Sequence, residues 1–135
     1  MKIYFAGSIR GGRILVDTYR QIITWLNENY EVISDHVGST AITKDGEQKD
    51  VEYIYTRDVD WLKECDTIVA DVTMPSLGVG LEIGLAQTMG KKIICLYNIN
   101  ADASLSAMIS GNPHVENIRY ATVDEAKEKL KAALS

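Results

Sequence analysis

The sequence predicts an α/β domain built on a doubly wound parallel sheet with helices on both faces. Three observations lead there. Short apolar runs alternate with stretches of helical periodicity along the whole chain. Two of the runs, "TIVADV" and "KIICLY", read as continuously apolar, as strands buried on both faces do. The 135 residues, 46% of them hydrophobic, suit one domain, 1–135, with a single sizeable core.

The elements follow in order. "KIYFA" (2–6) is a strand ending at Gly7, and residues 13–28 carry Leu15, Tyr19, Ile22 and Leu26 at helical spacing. "EVIS" (31–34) is the second strand, and the polar, glycine-bearing stretch 37–48 is a loop. A helix over 49–64 precedes a third strand, 66–72, and a loop containing Pro75. "GLEIGLAQTMG" (80–90) is a helix that Gly90 closes. "KKIICLY" (91–97) is the fourth strand, followed by a short helix over 103–110, a brief strand near 118–121 and an amphipathic helix over 123–134. Five strands separated by helices imply a five-stranded sheet of flavodoxin-like (Rossmann-like) order. In such sheets ligands bind beyond the carboxyl ends of the strands, which selects loops 7–13, 35–48, 72–80 and 98–104.

Composition narrows the function. Nineteen acidic and 14 basic residues give a net charge of −5, with no basic cluster of the density a nucleic-acid face needs. A nucleic-acid polymer is therefore not expected as a partner, whereas a small phosphorylated ligand held by a few donors is compatible. No run of about 18 apolar residues predicts a membrane span. The strand-like start "MKIYFAGS" does not read as a signal peptide, and Cys65 and Cys95 stand singly in apolar surroundings. A cytoplasmic protein with reduced, buried thiols is expected.

Several residues could carry chemistry. In "GSIRGGR" (7–13) glycines lie between a strand and a helix, where backbone N–H groups can approach a phosphate and Ser8 and Arg10 add donors. A tight turn with a surface arginine explains the same residues. The spacing is not that of a dinucleotide fingerprint. "SLGVGLEIG" (76–84) reads as a second ligand loop, with Gly78 and Gly80 admitting close approach and Gly84 letting the helix pack tightly on the sheet. Glu82 then falls in the first helical turn, where the helix dipole would favour its ionised form by about 0.3–1 kcal/mol. Leu81, Ile83 and Leu85 surround it, so an ordinary solvated surface position fits poorly and a position facing the cleft fits better.

Asp58 is the second anomaly. It shares a helical stripe with Val51, Ile54, Tyr55, Val59 and Leu62, where an unpartnered carboxylate would be costly. Either the stripe borders a polar cleft or Asp58 has a buried partner. Tyr4, late in the first strand, could reach a carboxylate across the cleft or simply fill the core. His36, after the second strand, has no companion at metal-ligand spacing, so it is a ligand contact or a surface residue.

Together these residues resemble one family. "IYFAGSIRGGR", "DVDWL", "SLGVGLEIG" and "LSAMISG" are similar to motifs of the 2'-deoxynucleoside 5'-monophosphate N-glycosidases, relatives of the nucleoside 2-deoxyribosyltransferases. The resemblance runs from about Lys2 to Tyr120. It implies hydrolysis of a deoxynucleotide to free base and 2-deoxyribose 5-phosphate, with Glu82 as the nucleophile, Asp58 as the second catalytic carboxylate and Tyr4 beside them. It also implies substrate and phosphate contacts at Gly7, Ser8, Ile9, Arg10, Gly11, Ser76 and Gly78, and a sugar or base contact at His36. Ser106 would reach the phosphate in the partner subunit's site of a homodimer. No metal or organic cofactor is implied. The related transferases typically carry an aspartate where this chain has Ser76, and a hydroxyl suits a 5'-phosphate better than a carboxylate would. A base-exchanging transferase and a non-catalytic nucleotide-binding module remain the alternatives, and the preferred base is open.

Overall fold

The computed structural model describes residues 1–8, 15–34, 50–102 and 104–135. Strands β1 (Lys2–Ala6), β2 (Glu31–Val32), β3 (Thr67–Asp71), β4 (Lys92–Asn98) and β5 (Val115–Tyr120) alternate with helices. The helices are α1 (Val16–Leu26), α2 (Val51–Glu64), α3 (Leu77–Thr88), α4 (Ala107–Ser110) and α5 (Val123–Leu134). All neighbouring strands pair in parallel, in the order β2-β1-β3-β4-β5. That is the doubly wound flavodoxin-like order expected from the sequence.

Alternation along the strands divides the core in two. Ile3, Phe5, Val69, Ile94 and Leu96 face Tyr19, Ile22 and Leu26 of α1 and Ala126, Leu130 and Leu134 of α5. Tyr4, Ala6, Ile68, Ala70, Ile93 and Cys95 face Leu62 of α2 and Val79, Ile83 and Ala86 of α3. Each large apolar side chain so buried contributes about 1.5–3 kcal/mol, which is what holds four of the helices on the sheet.

Some boundaries differ from the sequence reading. The second strand ends at Val32, the short helix before β5 spans only Ala107–Ser110, and β5 begins at Val115. The larger correction concerns α3, which starts at Leu77 rather than Gly80. Ser76 is its N-cap, its hydroxyl oxygen accepting the Val79 N–H at 3.3 Å, so "LGVG" is the first helical turn and not a loop. Gly90 ends α3 as expected. At φ 73° it lets its own N–H reach Gln87 O at 3.1 Å and the Lys91 N–H reach Ala86 O at 3.0 Å, the paired bonds of a Schellman motif. Gly84 does not bring the helix closer to the sheet: a Cβ there would meet nothing within 4 Å.

Candidate active site

Helix α3 presents two rows of side chains to two different cavities. Leu77, Gly80, Ile83, Gly84 and Gln87 line one of about 490 Å³, together with Ser76, Ser106 and Met108. Gly78, Leu81, Glu82 and Leu85 line another of about 240 Å³, whose opposite wall is the Val51, Ile54, Tyr55, Asp58, Val59 and Leu62 stripe of α2. The two linings share no residue among those described. Position along the helix thus decides which chemistry meets which, and Glu82 and Asp58 share the smaller, more apolar space.

The α2 stripe is not the core face that its spacing suggested. Val51 and Tyr55 are exposed, at 66% and 58%, and only Leu62 is fully buried. The stripe borders a largely apolar cavity and not a polar cleft, and it is the second possibility, a largely buried partner for Asp58, that the structure supplies. Asp58 is half-buried, and Arg57 contacts its Oδ1 through both Nε and a terminal nitrogen, each at 2.9 Å.

Tyr4 is buried in the β1 core, and its hydroxyl donates to Glu82 Oε2. Parallel pairing puts Tyr4 beside Ile68 of β3, on the sheet face that α2 and α3 cover. The phenol therefore rises from the sheet to meet α3 from below. Its own ionisation is suppressed by burial first and by the neighbouring Glu82 charge second.

Glu82 is the sixth residue of α3, not a first-turn residue, so the dipole effect expected at that end has largely faded. Burial dominates instead and pushes its carboxyl up to about 7. The Tyr4 hydrogen bond pulls the value down and the Asp58 charge adds to the rise. At neutral pH the group is poised between acid and carboxylate, the reverse of the fully ionised state that a first-turn position would favour.

The other candidates are distributed as follows. A Cβ on Gly7 would lie 2.8 Å from the Tyr19 ring, so close packing demands the glycine. Ser8 is buried, and its N–H donates to the Tyr19 hydroxyl at 3.2 Å. Gly78 lines the carboxylate cavity, whereas Ser76 and Ser106 line the larger one. Ser106 also caps α4, accepting the Met108 N–H at 3.2 Å. Ile9, Arg10, Gly11 and His36 lie outside the described residues. Sequence reasoning did not single out the clamp on Asp58, although Tyr53, Arg57 and Trp61 at four-residue intervals were a visible signal of it. Among the described residues there is no group of three His, Cys, Asp or Glu side chains that could hold a metal ion, and no helix long and apolar enough to cross a membrane.

A cavity between α2 and α3 with two carboxyl groups in its lining, one of them held by a tyrosine hydroxyl, has the paired acids that glycoside cleavage uses. The nucleoside 2-deoxyribosyltransferase family model matches residues 3–130, and the chain belongs to that family. A Syntrophotalea carbinolica protein provisionally named 2'-deoxynucleoside 5'-phosphate N-hydrolase 1 is 42% identical over 100% of this chain and 95% of its own. The 5-hydroxymethyl-dUMP N-hydrolase of Esox lucius is 42% identical, over 99% of this chain and 93% of its own. Among solved structures, the Clostridium botulinum CMP N-glycosidase superposes with a TM-score of 0.70 at 27% identity, covering 98% of this chain and 99% of that one.

Proposed function

We propose that this chain, as one domain over residues 1–135, hydrolyses the N-glycosidic bond of 2'-deoxynucleoside 5'-monophosphates to free base and 2-deoxyribose 5-phosphate. The observation that carries the reading is Glu82 itself: a carboxyl in an apolar cleft, held by a tyrosine hydroxyl, with a second carboxylate on the facing helix. Relatives at 42% identity are named for that activity or for cleavage of one such nucleotide.

Breaking the sugar–base bond builds oxocarbenium character at C1'. In its ionised form Glu82 attacks that carbon and the base departs, leaving a glycosyl ester that water then opens with net retention. Tyr4 fixes the carboxylate through Oε2 and leaves the attacking oxygen to Oε1. The departing base needs a proton. A guanidinium on Asp58 favours its carboxylate form, so Asp58 serves better as a relay than as a resident acid. It takes up the proton that Glu82 gives up on ionising and passes it to the base as C1'–N breaks.

The remaining assignments follow the resemblance. Gly7, Ser8, Ile9, Arg10, Gly11, Ser76 and Gly78 contact the sugar phosphate, and His36 the sugar or base. Ser76 accepts from a backbone N–H as a cap, and a hydroxyl that accepts still has its proton to donate. Ser106, by the same resemblance, reaches the phosphate in the partner's site of a homodimer, and it lines the same cavity as Ser76. Leu77 and Met108, 97% and 81% exposed beside that cavity, are apolar surface that a second copy would cover. The enzyme acts in the cytoplasm and uses no cofactor.

The test is incubation with each deoxynucleoside monophosphate and chromatography for free base. Ribonucleotides belong in the same panel, because the structural relative is named for CMP. Adding a second base tests the transferase reading, which the family's name favours: exchanged nucleotide would displace hydrolysis as the principal reaction. Absence of base release from every nucleotide would leave a binding module.

A further inference from the structure

Neighbouring positions on a helix diverge by about 100°, so side chains at i and i+1 do not normally meet. Arg57 and Asp58 of α2 do meet, and the reason lies one turn to either side. The Arg57 guanidinium carbon sits 4.7 Å from the centre of the Trp61 ring and 5.7 Å from that of Tyr53, the residues at i+4 and i−4. The two rings hold the guanidinium along the helix surface, where Nε and a terminal nitrogen both reach Asp58 Oδ1 at 2.9 Å. Its side chain is 14% exposed and that of Asp58 23%, so solvent screens the pair less than it would a surface ion pair.

We propose that Arg57 is a positioning residue that keeps Asp58 ionised, so that the one proton of the carboxylate pair resides on Glu82. The charged or titratable groups beside this pair include Tyr53 of α2, under the guanidinium, and others from each neighbouring element. Glu82 comes from α3 and Tyr4 from β1, while Tyr55 comes from α2 itself. Asp58's negative charge is felt by both Glu82 and Tyr4, and the charge of Arg57 reaches Tyr4 with the opposite sign. Arg57 thus makes the two carboxyl groups unequal. A site with one ionised and one protonated acid is what a relay to the departing base requires. The assignment rests on the hydrolase reading for its purpose but not for its measurement.

The measurement is a pH titration of the Asp58 and Glu82 side-chain carboxyl carbons by 13C NMR in the full chain, without substrate. Arg57→Met keeps the aliphatic bulk and removes the charge, and the Asp58 midpoint should rise by about one unit or more. Arg57→Lys retains the charge and should bring the midpoint most of the way back. With substrate, the acid limb of kcat/KM should move to higher pH in Arg57→Met and return in Arg57→Lys. An Asp58 midpoint unchanged in a folded Arg57→Met variant would overturn the assignment, as would a lysine variant that titrates like the methionine one. Because the titration needs no turnover, a protein that cleaves no nucleotide would sink the hydrolase reading and leave this result intact.

Discussion

Two tyrosine–carboxylate pairs stand on opposite faces of the same sheet, and they differ in how completely the acid is satisfied. On the α1 and α5 side, Tyr120 of β5 donates to Asp71 Oδ2 at 2.7 Å. The Thr73 N–H donates to Oδ1 at 3.0 Å, and Asp71 is wholly buried. Thr73 in turn accepts the Asn98 N–H at 2.9 Å, tying the ends of β3, β4 and β5 together. On the α2 and α3 side, Tyr4 donates to Glu82, but this carboxyl borders an open apolar cavity with a second acid across it. Burial raises both acids. The first spends its oxygens on the protein and becomes a brace, while the second has space in front of it for a reacting atom.

Exchanging the roles is the way to break this contrast, and the largest effect belongs to activity. Glu82→Ala should lower base release by about 10³-fold or more, as loss of a nucleophile does. Its urea midpoint should change less than that of Asp71→Ala, because removing a desolvated carboxyl offsets the cost of stranding the Tyr4 hydroxyl. Base release at the parental rate would remove Glu82 from the chemistry. Asp71→Ala should do the opposite, destabilising the fold by about 2–4 kcal/mol, since it strands the Tyr120 hydroxyl and the Thr73 amide in the core. Equilibrium urea unfolding reads this, and Asp71→Asn, which keeps the shape and one acceptor, should cost less. A stable, inactive Asp71→Ala would show that the brace is chemical after all.

The two acids were unequally legible in the sequence. Glu82 stood out because its neighbours Leu81, Ile83 and Leu85 offer no polar face. Asp71 did not, because a strand read as continuously apolar hides one polar residue at its last position, and its partner Tyr120 lies 49 residues away. The succession of strands and helices and the Gly90 stop followed from periodicity and local turn chemistry, which are short-range properties, whereas strand order came from the topology that such alternation favours. The start of α3 was misplaced because glycines at 78 and 80 weaken a helix signal by about 1 kcal/mol each, and only the Ser76 cap reveals the true boundary. That misplacement also gave Glu82 the wrong electrostatics. Dipole stabilisation depends on position within one turn, whereas burial depends on what α2 and β1 bring from elsewhere in the chain.

The contrast sharpens at the tyrosines. Tyr4→Phe removes the one contact that lowers the Glu82 carboxyl, so that group should titrate higher and the alkaline limb of kcat/KM, where the pair loses its proton, should move up in pH. At pH 7 the rate should fall by about 10- to 100-fold, part from lost orientation of the carboxylate and part from the greater cost of ionising it for attack. A drop in rate without any displacement of the limb would mean that Tyr4 acts on the substrate and not on Glu82.

The smallest expected effect is on stability against pH, and its sign separates this site from an ordinary salt-bridged acid. Glu82 has a folded-state value near 7 against a reference of 4.5, so between those limits the folded chain binds more protons than the unfolded one. Stability contributed by the group is therefore present below about pH 4.5 and is lost as pH rises through 7, the reverse of a carboxylate held by a cation. Asp71, also raised, contributes with the same sign in both proteins compared and cancels. Glu82→Gln mimics the protonated form, so its melting curve should coincide with that of the parent near pH 4.5. By pH 8 the glutamine variant should be the more stable by about 1 kcal/mol, after discounting for the part of the side chain that solvent reaches. Parallel curves across that range would show that Glu82 is ionised at no cost to the fold, and the distinction between the satisfied acid and the poised one would collapse.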